Sequence, residues 1–216
     1  MRAKVSMKGD DRRAQDSART RAAILDATEA VMREDGYAAV SSRRVAERAG
    51  LTSPLVHYHF GTMDDLFLAL FRRFENLFFS KHLEALTSPS PVHALWTFSM
   101  DAEGVDLILE FVVAANHRKA LRDELARATE RVRSIQNALL GKTFENSDIG
   151  KSGYTPQVIS FLIAAVSRAL TSERNLGVTS GHAEIITFMR DLIRSATAHL
   201  PAGKESSPGS DAEPHA

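Results

Sequence analysis

The chain has 216 residues, 44% apolar and 25% charged, which is enough material for a sizeable core. Its 27 Lys plus Arg balance 27 Asp plus Glu, so a partner chosen by bulk charge is excluded. The absence of cysteine removes disulfides, thiol catalysis and thiolate metal sites. No apolar run reaches the roughly 18 residues needed to span a bilayer, and the opening MRAKVSMKGDDRRAQDS lacks the apolar stretch of a signal peptide. A cytoplasmic protein with no membrane partner is expected.

The zero net charge hides a small asymmetry. Residues 1–63 hold 11 basic against 8 acidic side chains, and the remainder is correspondingly acidic. The basic part lies first, as a weak pointer to an anionic partner.

Residues 1–16 are polar and 201–216 are rich in Pro, Gly, Ser and Ala, so both ends read as disordered tails. Between them the apolar spacing is helical throughout. Ile24, Leu25, Thr28, Val31 and Met32 form one face of a first helix, with Ser17 as its cap and Gly36 as its stop. A very short second helix is predicted from Ser41 or Ser42 to Ala49, closed by Gly50. Thr52 is placed to cap a third, with Pro54 in its first turn, Val56 and Phe60 turned inward, and Gly61 at its end.

Thr62 and Asp65 have the spacing of a capping box, with Asp in place of Glu or Gln, and open a long helix carrying Leu66, Phe67, Leu70, Phe71, Phe74, Leu77 and Phe78. Three more helices are predicted around Leu95–Phe98, Val105–Ala115 and Leu121–Leu140, and residues 142–154 read as a loop. Thr155 and Pro156 open another helix, and a last one follows Ser180. The expected fold is therefore all-α, with about nine helices, no strand and no internal repeat. The division is a tail, a helix-turn-helix unit over 17–63, a larger helical domain over 64–200, and a second tail.

Two short helices joined by a tight turn at Gly50, the second capped and bearing polar and aromatic side chains, form the helix-turn-helix pattern. Residues 41–63 contain Arg43, Arg44 and Arg48 against Glu47 alone. The first turn of the second helix offers free N–H groups and the hydroxyls of Thr52 and Ser53 to a phosphate. Each feature also has a plain structural reading: Ser42 and Thr52 as ordinary caps, His59 packed beside Phe60, and Arg48 solvated on its face. An enzyme is disfavoured. His57 and His59 are two apart on a helix and point roughly 200° from each other, and neither a phosphate-binding Gly-rich loop nor a nucleophile motif accompanies them. No catalytic residue, metal site or cofactor is expected.

The stretch from Thr20 to Phe71 resembles the DNA-binding domain of the TetR family of bacterial transcription regulators. It matches in order a helix ending in Gly36 and Tyr37, the pair Ser41 and Ser42, then Val45-Ala46, Ala49-Gly50-Leu51 and the closing His57-Tyr58-His59-Phe60. The resemblance implies a homodimeric regulator, most often a repressor, that binds a palindromic double-stranded DNA operator and is modulated by a small molecule. It carries DNA contacts onto Ser42, Arg43, Thr52, Ser53, Pro54, Leu55, His57 and Tyr58. The sequence departs from the family pattern in three places. His57 replaces a frequent tyrosine, Met63 replaces a lysine that meets a phosphate, and Pro54-Leu55 replaces a small or polar pair, which favours apolar contact or shape readout. Arg12 and Arg13 are candidates to add backbone or minor-groove contacts in compensation.

In the larger domain, large apolar groups on several helices read as core or as a pocket between helices. Candidate pocket residues are Phe71, Phe74, Trp96, Met100, Phe111, Asn116, His117 and Phe161. The scarcity of basic residues inside the apolar runs points to a hydrophobic, uncharged or weakly polar effector. The last two helices carry broad apolar faces with small residues, and the resemblance pairs them with their symmetry mates. Phe161, Ala165, Ala169, Ile185, Met189, Leu192 and Ala196 are the expected dimer contacts. The competing reading is a helical module, or a DNA-binding protein that responds to no ligand, and a filled core between residues 90 and 170 would favour it.

Overall fold

The structure, a computed structural model, describes residues 2–145 and 154–197. Among these residues nine α-helices and no strands are present. They are α1 (Arg2–Asp35), α2 (Ser42–Ala49), α3 (Ser53–Phe60), α4 (Met63–Leu86), α5 (Pro91–Ser99), α6 (Ala102–His117), α7 (Lys119–Glu145), α8 (Pro156–Asn175) and α9 (His182–Thr197), with a 3-10 turn at Tyr37–Ala39.

The first helix is longer than its apolar stripe predicts. It begins at Arg2, so residues 2–16 are helical rather than a disordered tail, and Ser17 lies inside the helix instead of capping it. Once a packed segment such as Ile24–Met32 has nucleated a helix, each further residue adds a hydrogen bond at low cost, and no proline interrupts this stretch. The second tail, 201–216, lies outside the described residues, as do positions 146–153 of the expected loop. Residues 142–145 of that loop extend α7.

Several starts follow from the side chains that cap them. Ser41 Oγ accepts from the Arg44 backbone N–H at 3.3 Å, and Thr155 Oγ1 accepts from that of Val158 at 3.4 Å. At α4 the capping box forms in full: Asp65 N–H donates to Thr62 Oγ1 and Thr62 N–H to Asp65 Oδ2, both at 3.1 Å. The Thr62 hydroxyl, and then its backbone N–H, hold the Asp65 carboxyl below the usual carboxylate range. Thr52 occupies the cap position of α3, but its side chain makes no capping bond.

Two apolar clusters share α4. The first joins Ile24, Val31 and Met32 of α1, Val45 of α2, Val56 and Phe60 of α3, and Leu66 to Phe71 of α4, and continues into Phe111 of α6 and Leu121 of α7. The second joins Leu86 at the far end of α4 with Trp96, Leu140, Ile159, Ile163 and Met189. At about 1.5 Å per residue, α4 therefore carries one rigid connection of roughly 36 Å from the three-helix head to the rest of the molecule.

Candidate DNA-reading head and internal cavity

The turn between α2 and α3 is set by Gly50, whose φ of 66° lies in the left-handed region. Its N–H bonds to Glu47 O at 3.2 Å and the Leu51 N–H to Ala46 O at 2.8 Å, which ends α2 and turns the chain into α3. Val45, Ala46, Val56 and Phe60 face the core. That burial fixes the outward face, where Arg43, Thr52, Pro54, His57 and Tyr58 are exposed. Tyr58 is 80% accessible, far more than a phenol held for packing.

The remaining predicted contacts are half-buried. Ser53 Oγ donates to Ser42 Oγ at 3.0 Å, tying the start of α3 to the start of α2, and Leu55 lies beside them on the first turn of α3. His57 Nδ1 lies 3.2 Å from Gly61 O, which orients the imidazole at the end of its own helix. Met63 packs against the head's core, with no charge to offer a phosphate.

The three arginines of α2 are not equivalent. Arg44 pairs with Asp35 at 2.7 Å and Arg48 with Glu34 at 2.5 Å, and the Arg48 bond holds the Glu34 carboxyl below its usual range. Arg43 has no carboxylate partner among the described residues and is left to face outward. Sequence reasoning did not separate them, because Glu34 and Asp35 come from the end of α1. It also missed Arg21, which donates to His59 O at 2.7 Å and stacks over Phe60 at 4.0 Å, clamping the end of α3 to α1.

Residues 24–70 match the family model of bacterial regulatory proteins, tetR family. Over that stretch the chain is similar to TetR-family regulators. Members of that family are DNA-binding regulators rather than enzymes, and in helix-turn-helix proteins generally it is the second helix of the motif that enters the major groove. Solved structures share the fold over nearly their whole length. A transcriptional regulator from Rhodococcus sp. Rha1 is 17% identical, with 84% of this chain and 99% of that one covered at a TM-score of 0.65. A TetR transcription regulator from Haloarcula marismortui ATCC 43049, also 17% identical, covers 85% and 98% at 0.63. A Saccharomonospora viridis protein solved in complex with choline, 17% identical, covers 84% and 97% at 0.66. No curated protein matches the chain.

Where the two apolar clusters meet, the helices leave a cavity of about 160 Å³. Phe71, Phe74, Phe78 and His82 of α4 form one wall, Ile108 of α6 a second, residues of α7 from Leu125 to Gln136 a third, and residues of α8 from Ser160 to Arg168 the fourth. A fully packed core is therefore not what lies between residues 90 and 170. Of the candidate pocket residues, Phe71, Phe74 and Phe161 line the cavity. Phe111 packs behind it against Phe71 and Phe74, with ring centroids 5.2 and 5.5 Å apart. Trp96 and Met100 belong to the second cluster, and Asn116 and His117 are exposed, with His117 stacked on Tyr37 at 6.1 Å.

The polar groups of the cavity were not foreseen. His82 is 3% accessible, its Nε2 is 2.9 Å from Gln136 Nε2, and its Nδ1 has no partner. Burial lowers its pKa to about 4, so the ring is neutral at pH 7. Ser160 Oγ is buried and also unpartnered. His82 was legible in the sequence as the next member of the stripe Phe74, Phe78, since four residues on from Phe78 returns to the same helix face.

The head is fastened to α6 directly. Glu110 accepts from the Tyr37 N–H at 2.6 Å, Arg33 donates to Glu103 O at 2.7 Å, and Arg118, just beyond α6, donates to the Tyr37 hydroxyl at 3.0 Å and pairs with Asp64. One helix therefore presents Ile108 to the cavity and Glu110 to the head, two residues apart.

Of the predicted dimer residues, Phe161 and Ala169 are exposed, Ala165, Ile185 and Leu192 are half-buried, and Met189 is fully buried in its own protomer. The side chain of Ala196 lies outside the described residues.

Proposed function

We propose that the chain is a ligand-responsive transcriptional repressor that binds a palindromic operator as a homodimer and loses DNA affinity when a small molecule fills the α4–α8 cavity. The supporting observation is the position of α6, which carries one residue of the cavity wall and the carboxylate that holds the head. A ligand that needs more room beside Ile108 displaces α6 along its axis or sideways, and Glu110 and Arg118 pass that displacement to Tyr37 and Asp64. DNA affinity falls by the difference in ligand affinity between the two head arrangements.

In this reading Arg43, Thr52 and His57 make backbone contacts, Tyr58 and the Pro54–Leu55 turn meet base edges or thymine methyls, and Ser42 and Ser53 fix the spacing of the two helices. Dimerisation uses α8 and α9, where Val158, Phe161 and Phe188 expose apolar surface that a partner's copy of the same face can cover.

A thermal-shift screen of small molecules against the purified protein tests the proposal, with each stabilising compound then assayed for release of DNA. Compounds that stabilise the native chain and release DNA are expected to do neither with Ala164→Phe, which places a ring in the cavity. Stabilisation unchanged by that substitution, or binding with no effect on DNA affinity, contradicts the assignment of the cavity as the effector site.

A further inference from the structure

The proposed effector site carries two basic groups that the apolar runs conceal. Arg133 on α7 and Arg168 on α8 both line the cavity, and neither has a carboxylate partner among the described residues. Arg133 lies over the Phe161 ring at 5.6 Å from its centroid. The acid of the wall, Glu75, is already paired with Arg131 at 2.9 Å, so it does not neutralise them. Partial burial and the neighbouring Arg133 charge push the Arg168 pKa down from its ordinary value, which places the two guanidinium groups within electrostatic reach of each other. Both side chains remain exposed, and two like charges side by side with no acid between them favour an anion that bridges them.

The buried neutral groups have the same preference. Gln136 Nε2 donates to His82 Nε2, which leaves the His82 proton on Nδ1, where it is a donor without an acceptor. The Ser160 hydroxyl is a second unspent donor. A cation would meet two guanidinium groups and a carboxylate, Glu75, already paired with Arg131, and a neutral hydrocarbon would leave four donor groups unpaired. The volume of about 160 Å³ is close to that of an apolar cavity known to hold one benzene ring.

Resting on the effector reading of this cavity, we infer that the ligand is a carboxylate with an apolar body of about one ring, its carboxylate on Arg133 and Arg168 and its body against Phe71, Phe74 and Phe78. A carboxylate ligand departs from the expectation of an uncharged or weakly polar effector. That expectation came from apolar runs read one helix at a time, whereas the two arginines come from different helices and meet only in the fold.

The test is calorimetric titration of the full chain with benzoate, benzyl alcohol and benzylamine, which share a ring and differ in charge. Benzoate is expected to bind at least about tenfold more tightly than benzyl alcohol, a difference that one charge-assisted contact supplies, and benzylamine not to bind. Arg168→Gln and Arg133→Gln, both at exposed side chains, should each remove most of the benzoate preference while changing benzyl alcohol binding far less, and Arg168→Lys should restore part of it. Equal binding of benzoate and benzyl alcohol, or preference for benzylamine, overturns the carboxylate assignment and leaves the cavity as an effector site. Binding of none of the three, by a protein that remains folded and binds DNA, overturns both.

Discussion

Arg43 and Tyr58 are the residues on which the DNA-reading assignment of the head turns, because both are exposed and neither supports the core. Arg43→Ala is expected to weaken DNA binding about tenfold and to lower the slope of log affinity against log salt by about one, as loss of a single phosphate contact does. Tyr58→Ala should cost about 1–3 kcal/mol of binding and relax sequence preference. Fluorescence anisotropy across a salt series measures both, and unchanged affinity in both variants removes the contact assignment. His82 yields a stability prediction of opposite character. Its folded pKa of about 4 lies below the unfolded value near 6.5, so the unfolded chain binds the proton more readily. Stability from this residue is complete above pH 6.5 and is lost as pH falls toward 4, by up to about 3 kcal/mol at 1.36 kcal/mol per unit. Urea unfolding from pH 7 to 4 should show a steeper loss in the native chain than in His82→Gln, and parallel curves would contradict the buried neutral imidazole.

At the scale of elements, the proposed coupling of cavity to head rests on α6. Glu110→Gln keeps the shape of the side chain but removes the charge that accepts from the Tyr37 N–H at 2.6 Å. The expected outcome is near-normal affinity for each of DNA and effector alone, with the coupling between them reduced by about 1 kcal/mol or more. The check is DNA affinity with and without saturating effector, and coupling equal to that of the native chain would place the transmission elsewhere. Much of this element structure was legible beforehand. The α2–Gly50–α3 turn and the capping box at Thr62 are local, fixed by residues three or four apart, and the periodic faces of α4, α8 and α9 needed only counting. The start of α1 was not legible, because its polar first half continues a helix nucleated elsewhere and bears no apolar stripe. Nor was the latch on Tyr37, whose partner Glu110 lies 73 positions along the chain. Most of the cavity's polar lining was hidden for the same reason: His82 continues the stripe of Phe74 and Phe78, but its convergence with Arg133 of α7 and with Ser160 and Arg168 of α8 exists only in the fold.

The whole molecule is argued to work as a two-fold dimer whose paired heads span successive major grooves, with α4 as the rigid link between each head and its cavity. The exposed apolar side chains on α8 and α9, Val158, Phe161 and Phe188 at 41%, 58% and 58% accessible, belong to a surface that a monomer would leave wet. Dimer geometry makes a definite demand on DNA, namely two half-sites with centres about 34–36 Å apart and related by a two-fold axis. The most direct measurement is selection of fragments bound by the purified full chain from total genomic DNA of its source, followed by salt titration on the enriched sequence. The account predicts a short palindrome, one turn between half-site centres, with affinity falling steeply as salt rises. Failure to enrich any sequence at low salt, or enrichment of a single unpaired half-site, would contradict it.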